Sequence, residues 1–342
     1  MNQIPKILIT GATGLVGSYT TRLLQNTGKF RLIASKRSTS KMNLVEEIKE
    51  AVEWVEGDLT DPFFCSEITQ GVDIVIQCAG FISFKNKHYQ QLMDVNHRSV
   101  ETLVHAAMQN NISQFIHVSS IAALGRSEKE ETIDESNIWK RSTYNSGYAI
   151  SKYMGEMEVW KGAAEGLQVA IVNPSVILGA GHWGNGSLTL FDKVWNGLSV
   201  YPTGSTGWVD VRDVAKSILR ILELRSTSKR YIISASNASY LEVLSGIAEH
   251  MNKKVPRLPV KKWMAEIAWR GASAISTITG NKPFVEKSPA RLSQNNYSYP
   301  NFRSKADLGM KYIDLQQTIK ESVQAYMKSK NENSEFAILP IR

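Results

Sequence analysis

A tyrosine and a lysine lie four residues apart in the stretch YNSGYAISKYMGE, at Tyr148 and Lys152. On an α-helix this spacing places two side chains on one face, close enough to interact. A free phenol titrates near pH ~10, and an adjacent ammonium favours the phenolate and so lowers the pKa. The pair therefore predicts that Tyr148 donates a proton to a carbonyl oxygen or accepts one from an alcohol. Tyr144 and Tyr153 lack a lysine four residues downstream.

Two serines end the predicted strand FIHVSS at residues 115–120. Ser119 and Ser120 would lie at the carboxyl edge of an open α/β sheet, where ligands bind. A hydroxyl at that edge can polarise a substrate carbonyl. Serines at strand ends also cap helices and form turns, so the position alone leaves both interpretations open.

Three glycines follow the first predicted strand at intervals of three residues, at Gly11, Gly14 and Gly17. In a dinucleotide-binding turn the first glycine permits a tight bend, the second lets the backbone approach phosphate, and the third lets the helix pack closely on the strand. The N-terminus of the following helix offers free N–H groups and partial positive charge to a pyrophosphate. The segment therefore predicts a bound dinucleotide.

The end of the second predicted strand indicates which dinucleotide is bound. NAD sites place an acid there to hold the ribose hydroxyls, whereas this chain has Ser35, Lys36 and Arg37. These side chains suit a 2′-phosphate, and arginine can bind it through two hydrogen bonds. We predict NADP(H) as the preferred cofactor, with NAD(H) possible and a solvated surface loop as the alternative. Asp58 is placed to meet the adenine amino group or to cap the next helix.

Strand-like and helical patterns alternate along the first half of the chain. Strands are predicted over 6–10, 30–35, 52–57, 72–79, 115–120 and 169–177, and helices over 15–26, 40–50, 62–70 and 89–109. Because the strands are almost continuously apolar, we predict an α/β fold with a Rossmann-type, doubly wound parallel sheet that is covered on both faces. A smaller, mostly helical C-terminal domain would bind the substrate.

The predicted domains interleave along the chain. They are a dinucleotide-binding domain (1–172 and 207–235), a substrate-binding domain (173–206 and 236–330), and a tail (331–342) that we expect to be loosely held. Within the second domain, residues 261–280 begin basic and continue mostly apolar. Such a segment can lie on a membrane surface, but we favour a packed helix of the substrate domain or its lid.

Composition excludes several classes of protein. The 342 residues carry a formal net charge of +8, but Lys and Arg are dispersed, which disfavours nucleic-acid binding and suits anionic cofactors. Cys65 and Cys78 are the only cysteines, so we expect reduced thiols, no Cys-rich zinc site and no metal. The start MNQIPKILIT lacks a leader pattern, and no apolar stretch of ~18 residues occurs, so we expect a cytoplasmic protein.

Taken together, the segments TGATGLVG, GDLTD, VDIVIQCAG, VSSIAALG, YAISK and NPSVILG resemble the extended short-chain dehydrogenase/reductase family, within the NAD(P)-dependent epimerase/dehydratase superfamily. The resemblance runs from residue 6 to about residue 325. It implies catalysis by Ser120, Tyr148 and Lys152, with Asn96 as a supporting position, and a homodimer formed through two helices. It also implies, together with the residues named above, a set of cofactor contacts: Gly11, Thr13, Gly14, Leu15, Val16, Gly17, Arg37, Asp58, Leu59, Cys78, Ala79, Gly80, Tyr148, Lys152, Pro174 and Val176.

Three branches of this family differ in chemistry. Dehydratases carry an acidic pair where this chain has Ile121 and Ala122, which cannot transfer protons. Arg37 argues against the NAD-dependent sugar-nucleotide epimerases, which remain the first alternative. The pattern is most similar to dihydroflavonol reductases and 3β-hydroxysteroid dehydrogenases, which implies hydride transfer between nicotinamide and a carbonyl or alcohol on a hydrophobic small molecule. Four aromatic residues are candidates for the pocket wall or the core: Trp183, Trp195, Tyr201 and Trp208.

A non-enzymatic NADP(H) sensor on the same fold is an alternative of a different class. Loss of the tyrosine–lysine pair would indicate a sensor, and both residues are present. We therefore predict an oxidoreductase in which Ser120 hydrogen-bonds the substrate oxygen, Tyr148 transfers the proton, and Lys152 orients the nicotinamide ribose and biases Tyr148.

Overall fold

A seven-stranded parallel sheet lies at the centre of the molecule. The computed structural model describes residues 4–126, 131–142, 144–260 and 293–341. The strands are β1 (Lys6–Thr10), β2 (Arg31–Lys36), β3 (Glu53–Glu56), β4 (Ile74–Gln77), β5 (Gln114–Val118), β6 (Val169–Pro174), β7 (Val176–Leu178), β8 (Val200–Pro202), β9 (Ser205–Asp210), β10 (Lys229–Ile233), β11 (Ser236–Ser239) and β12 (Leu258–Val260). The large sheet has the order β3-β2-β1-β4-β5-β6-β10, with every neighbouring pair parallel. The order reverses between β1 and β4, where open α/β sheets bind ligands.

Helices cover both faces of the large sheet. They are α1 (Leu15–Thr27), α2 (Pro62–Ile68), α3 (Tyr89–Met93), α4 (Ser99–Gln109), α5 (Gly147–Ala164), α6 (Thr189–Trp195), α7 (Val211–Leu224), α8 (Tyr240–His250), α9 (Phe302–Leu308) and α10 (Leu315–Asn331). Short 3₁₀ helices span Asn43–Ala51, Asn86–His88, Ile121–Leu124 and Gly186–Leu188. Helices α1 and α7 pack on one face, and α2, α4 and α5 pack on the other.

Successive residues of β1 enter opposite cores. Ile7 and Ile9 pack with Ile218 of α7, whereas Leu8 packs with Leu103 of α4, and all five side chains are fully buried. Each such burial contributes about 1.5–3 kcal/mol relative to exposure. Because both faces of the sheet are covered, the middle of β1 is apolar at three consecutive positions, Ile7, Leu8 and Ile9, and shows no alternation. The predicted Rossmann-type fold is confirmed.

Two predicted elements are each divided in the structure. The helix predicted over 89–109 consists of α3, a π-helical segment Asp94–Arg98, and α4. The strand predicted over 169–177 divides at Ser175, whose N–H donates to the carbonyl of Ile233 at 3.0 Å. As a result β6 stays in the large sheet, while β7 pairs with β9 in a second sheet.

The second sheet has the strand order β11-β9-β7, and a separate pair is formed by β8 and β12. Helices α6, α8 and α10 pack here around a second core. The domain limits given above stay a prediction, and the segment 261–280 lies outside the described residues. Among the residues that are described, no helix combines the length and apolar character needed to cross a membrane.

The prediction that the tail 331–342 is loosely held is wrong. Leu339 is only 4% exposed, and its N–H donates to the Tyr19 hydroxyl at 2.7 Å. The N–H of Ala337 donates to the carbonyl of Gly181 at 3.2 Å. The prediction relied on the polar start of the tail. The tail ends in an apolar segment, AILPI, whose side chains pack into the second core.

Candidate active site

The turn between β1 and α1 requires glycine at two of its three glycine positions. Gly11 has a φ of 64°, and a Cβ on it would lie 2.5 Å from the backbone nitrogen of Ala79. A Cβ on Gly17 would lie 2.2 Å from the carbonyl oxygen of Gly11. Gly14 has an ordinary φ of −83°, and a Cβ there would approach the same oxygen to 3.2 Å. The first and third glycines thus fix the backbone, while the second keeps its exposed side open.

The N-terminus of helix α1 lies within this glycine turn, because the helix begins at Leu15, directly after Gly14. Its N-cap, Gly14, supplies no side-chain cap, and the first helical turn contains no acid. The N–H groups of Leu15, Val16 and Gly17 therefore have no acceptor within the helix. Together with the helix dipole they form a site suited to phosphate. Thr13 lies in the same turn and is half-buried.

The three polar residues at the end of β2 differ in availability. Ser35 is buried in the strand. The ammonium of Lys36 pairs with the carboxylate of Glu56 on β3, which reduces the positive charge that it offers to a ligand. Arg37 is exposed, and its guanidinium has no ion pair within the described part of the chain. Of the predicted 2′-phosphate ligands, Arg37 is the one with an uncommitted charge.

Asp58 follows β3 at the same edge of the sheet. Its carboxylate accepts hydrogen bonds from the N–H and the hydroxyl of Thr60, both at 2.9 Å. Helix α2 is instead capped by Asp61, which accepts from the N–H of Phe63 at 2.9 Å. Asp58 therefore does not cap this helix, and its contact with adenine stays a prediction. Leu59 packs against the core beneath α2.

Asn96 fixes the loop that follows β4. Its amide is fully buried, donates to the Phe81 carbonyl at 2.8 Å and to the Ser151 hydroxyl at 3.0 Å, and accepts from the Phe81 N–H at 2.8 Å. Phe81 directly follows residues 78–80, the predicted cofactor contacts of this loop. Asn96 thus joins the loop to α5 and holds it beside the glycine turn.

The predicted catalytic residues converge at the carboxyl edge of β5. Tyr148 lies in the first turn of α5 and Ser120 directly precedes the 3₁₀ helix after β5. Burial raises the pKa of the Tyr148 hydroxyl, and the neighbouring Ser120 hydroxyl and Arg126 guanidinium oppose this rise. Lys152, one turn further along α5, donates to the carbonyl of Val118 at 2.8 Å.

The predicted effect of Lys152 on Tyr148 is wrong for this structure. The charge that opposes the rise in the Tyr148 pKa comes from Arg126. The Lys152 ammonium is instead directed at the carbonyl of Val118. Burial lowers the pKa of Lys152 to about 8, and the Glu156 carboxylate opposes this change. Tyr148 is therefore a neutral phenol at pH 7, in the form that can donate a proton.

The sequence prediction missed Glu156, although its spacing gave a signal. It is the third member of a series with four-residue spacing that starts at Tyr148. Its carboxylate, 2% exposed, accepts from the hydroxyl of Ser119 at 2.7 Å, the amide of Asn173 at 2.8 Å and the guanidinium of Arg230 at 3.2 Å. This network ties α5 to the ends of β5, β6 and β10.

The predicted pocket aromatics belong mainly to the core. Trp208 is fully buried and its indole N–H donates to the Ala238 carbonyl at 3.0 Å. Trp183 is 3% exposed and packs edge-on against Phe191, with ring centroids 5.4 Å apart. Trp195 and Tyr201 are half-buried against the same core. Among the described residues, the ring of Phe84 lies edge-on to Tyr148 at 6.0 Å between centroids, and the sequence prediction missed it.

The residues at this edge fit a nicotinamide dinucleotide. Gly11 and Gly17 form a cradle that a Cβ would fill, and the first turn of α1 presents unpaired N–H groups. Cys78 lies near Lys152, and burial raises the pKa of its thiol to about 12, so it is neutral. Within the described ranges, no group of three or more His, Cys, Asp or Glu could hold a metal ion.

Residues 7–234 match the NAD dependent epimerase/dehydratase family. The chain belongs to this family. Family members are NAD(P)-dependent oxidoreductases, epimerases and dehydratases, so the protein is an enzyme of this group and the predicted resemblance is confirmed.

Two relatives and one solved structure illustrate the similarity of this family member to known proteins. Sterol demethylase protein B of Methylococcus capsulatus is 25% identical over 313 residues, which cover 89% of this chain and 92% of that protein. A putative dihydroflavonol 4-reductase of Synechocystis sp. is 25% identical over 325 residues, covering 92% of each chain. The Bordetella bronchiseptica enzyme WbmH, solved in complex with NAD⁺, aligns with a TM-score of 0.75 at 18% identity, covering 95% of this chain and 99% of that one. At that identity the last likeness concerns the fold alone.

Proposed function

We propose that this enzyme is an NADP(H)-dependent carbonyl reductase that acts on hydrophobic aldehydes or ketones. The observation that carries the proposal is the neutral phenol of Tyr148, beside the Ser120 hydroxyl, at the sheet edge that also holds the glycine turn. A reductase needs a proton donor next to the substrate oxygen. The similarity to a putative dihydroflavonol 4-reductase supports the same chemistry.

Ser120, Tyr148 and Lys152 have different roles in the proposed reaction. Ser120 hydrogen-bonds the carbonyl oxygen, and Tyr148 donates its hydroxyl proton to that oxygen as negative charge develops on it. When bound, the reduced nicotinamide supplies the hydride. Lys152, whose ammonium donates to the carbonyl of Val118, would orient the nicotinamide ribose through its remaining N–H donors.

The proposed preference for NADP(H) rests on Arg37. Its guanidinium is exposed and unpaired in the described residues, at the strand end where NAD sites carry an acid. A planar guanidinium binds a phosphate through two parallel hydrogen bonds. We therefore propose that Arg37 binds the 2′-phosphate and that this contact separates the enzyme from NAD-dependent epimerases of the same family.

The test is a titration of NADPH and NADH, followed by fluorescence, with wild type, Arg37→Ala and Lys41→Ala. We expect NADPH to bind at least about tenfold more tightly than NADH in the wild type, because a charge-assisted pair contributes about 1.5–3 kcal/mol. Arg37→Ala should remove this preference. Lys41→Ala, which removes a nearby exposed cation paired with Glu335, should retain it. Equal affinities in the wild type would refute the cofactor proposal.

Turnover tests the reaction itself. We expect NADPH oxidation with members of a panel of aromatic aldehydes and aliphatic ketones. NADPH binding without turnover of any member would favour the sensor, and a sugar nucleotide carried through purification would favour the epimerase. Either result would reject the reductase.

A further inference from the structure

Arg126 is a half-buried cation beside Tyr148. Its Nε donates to the hydroxyl of Tyr299 at 2.9 Å, and its backbone N–H donates to the side-chain oxygen of Asn145 at 3.1 Å. No carboxylate pairs with it in the part of the chain that the structure describes. In a site of reduced dielectric, a cation without a counter-charge is costly, so an anion that reaches it gains free energy.

Two other arginines with mostly buried side chains are paired with carboxylates. Arg212 contacts Asp210 at 2.6 Å, and Arg230 contacts Glu156 at 3.2 Å. In both pairs the carboxylate neutralises the guanidinium. Arg126 has no such partner among the described residues, and this difference indicates a guanidinium that is available to a ligand.

The surroundings of Arg126 are aromatic and neutral. Its guanidinium carbon lies 5.5 Å from the ring centroid of Tyr297 and 6.0 Å from that of Tyr299. Tyr240 is also close, and burial raises the pKa of that hydroxyl to about 12, so it is uncharged at pH 7. Aromatic faces hold the cation in a fixed orientation without cancelling its charge.

The two terminal nitrogens of Arg126 are free to bind. Neither has a hydrogen-bond partner among the described residues, and neither belongs to the buried unpartnered atoms. Nη1 and Nη2 together present a planar donor pair. Such a pair matches the two oxygens of a carboxylate.

Arg126 follows Ser120, the proposed catalytic serine, by six residues along the chain. Ser120 is followed by the 3₁₀ helix Ile121–Leu124 and by Gly125, whose φ of 81° turns the backbone before Arg126. The guanidinium charge reaches Tyr148, and the ring of Phe84 supplies an apolar wall beside the same phenol. One site thus combines a proton donor, an apolar surface and an unpaired cation.

We propose that Arg126 binds a carboxylate of the substrate, so that the preferred substrates are carbonyl compounds with an aromatic or apolar body and a carboxylate group. This inference rests on the proposed reductase function, because it identifies a second group of the substrate besides the reacting carbonyl. Binding by Arg126 also fixes the direction in which the carbonyl faces Tyr148.

The test compares 4-formylbenzoate with its methyl ester, two aldehydes that differ in the charge of one group. We measure kcat/KM for both with NADPH, using wild type, Arg126→Met and Arg126→Lys. In the wild type the acid should be preferred at least about tenfold at low salt, and the preference should fall as salt rises. Arg126→Met should lower the acid-to-ester ratio at least about tenfold, and Arg126→Lys less, because the ammonium keeps the charge but loses the planar donor pair.

An unchanged ratio in Arg126→Met, or a wild type that does not prefer the acid, would overturn the inference. The wild-type measurement stands even where a variant fails to fold. Calorimetric titration of the enzyme with 4-formylbenzoate in the presence of NADP⁺ separates this inference from the reductase proposal, because no reduction takes place. Binding at least about tenfold weaker in Arg126→Met than in wild type supports the anion site even when turnover is absent, and equal binding rejects it.

Discussion

The glycine turn and the candidate catalytic cluster are built from different parts of the chain. The turn consists of backbone: Gly11 and Gly17 are required because no Cβ fits, and α1 presents its first N–H groups. The cluster consists of side chains, with Tyr148, Lys152 and Glu156 spaced along α5 and buried to different depths. The first region is therefore sensitive to added atoms, and the second to removed oxygens and charges. The contrast predicts which substitutions separate cofactor binding from chemistry.

Tyr148→Phe should give the largest effect, because it removes one oxygen and keeps the ring against Phe84. Loss of the general acid should lower kcat about 10²–10⁴-fold. The dissociation constant of NADPH should change less than about twofold, since the ring remains in place. Stopped-flow turnover and a fluorescence titration measure the two quantities.

Tyr153→Phe, which changes a ring stacked on Trp139, is the control and should keep wild-type kcat. A kcat within tenfold of wild type in Tyr148→Phe would contradict this division of roles.

Gly17→Ala should show the opposite behaviour, because one added carbon meets backbone at 2.2 Å. We expect the free energy of unfolding to fall by about 1–3 kcal/mol and NADPH binding to weaken, since the turn must open. Urea denaturation and cofactor titration measure these effects. Gly14→Ala is the matched control: its Cβ meets the same oxygen at 3.2 Å, so stability should fall by about 1 kcal/mol or less. Equal destabilisation by the two variants would show that the close contact at Gly17 is not decisive.

Glu156→Gln should give the smallest effect, a change in pH dependence. The Glu156 carboxylate raises the pKa of Lys152, which burial has lowered to about 8. Without that charge the pKa falls further, so the ammonium is lost at lower pH and the basic limb of kcat/KM moves to lower pH. Activity at pH 8 should fall roughly two- to tenfold.

A pH profile of the control Glu158→Gln should keep the wild-type limb. Glu158 lies on the same helix as Glu156. Its carboxylate contacts His97 at 3.5 Å and Lys161 at 3.6 Å, and neither contact involves Lys152. Movement of the Glu156→Gln limb to higher pH would refute the electrostatic role assigned to Glu156.

The sequence predicted best those features that depend on local backbone geometry. The spacing of Gly11, Gly14 and Gly17 specified the turn, and the continuous apolar strands specified a sheet covered on both faces. The four-residue spacing placed Tyr148 and Lys152 on one helix, but it did not give the direction of the lysine ammonium. That direction depends on a carbonyl of β5, which only the folded chain brings close.

Contacts between distant residues were beyond sequence reasoning. Glu156 and Arg230 are 74 residues apart, and Arg126 and Tyr299 are 173 apart. Nothing in local composition pairs such residues, because the order of strands in the sheet brings them together. The buried aromatic residues illustrate the same limit. The sequence around Trp208 does not distinguish a tryptophan of the core from one that lines a pocket.

The hydrogen bond between Tyr19 and Leu339 spans 320 positions of the chain. During synthesis on the ribosome, α1 therefore emerges long before the segment that completes its packing. The contact that joins α1 to this part of the second core thus forms only once residue 339 has been synthesised. A reporter protein fused after position 341 is consequently anchored close to α1.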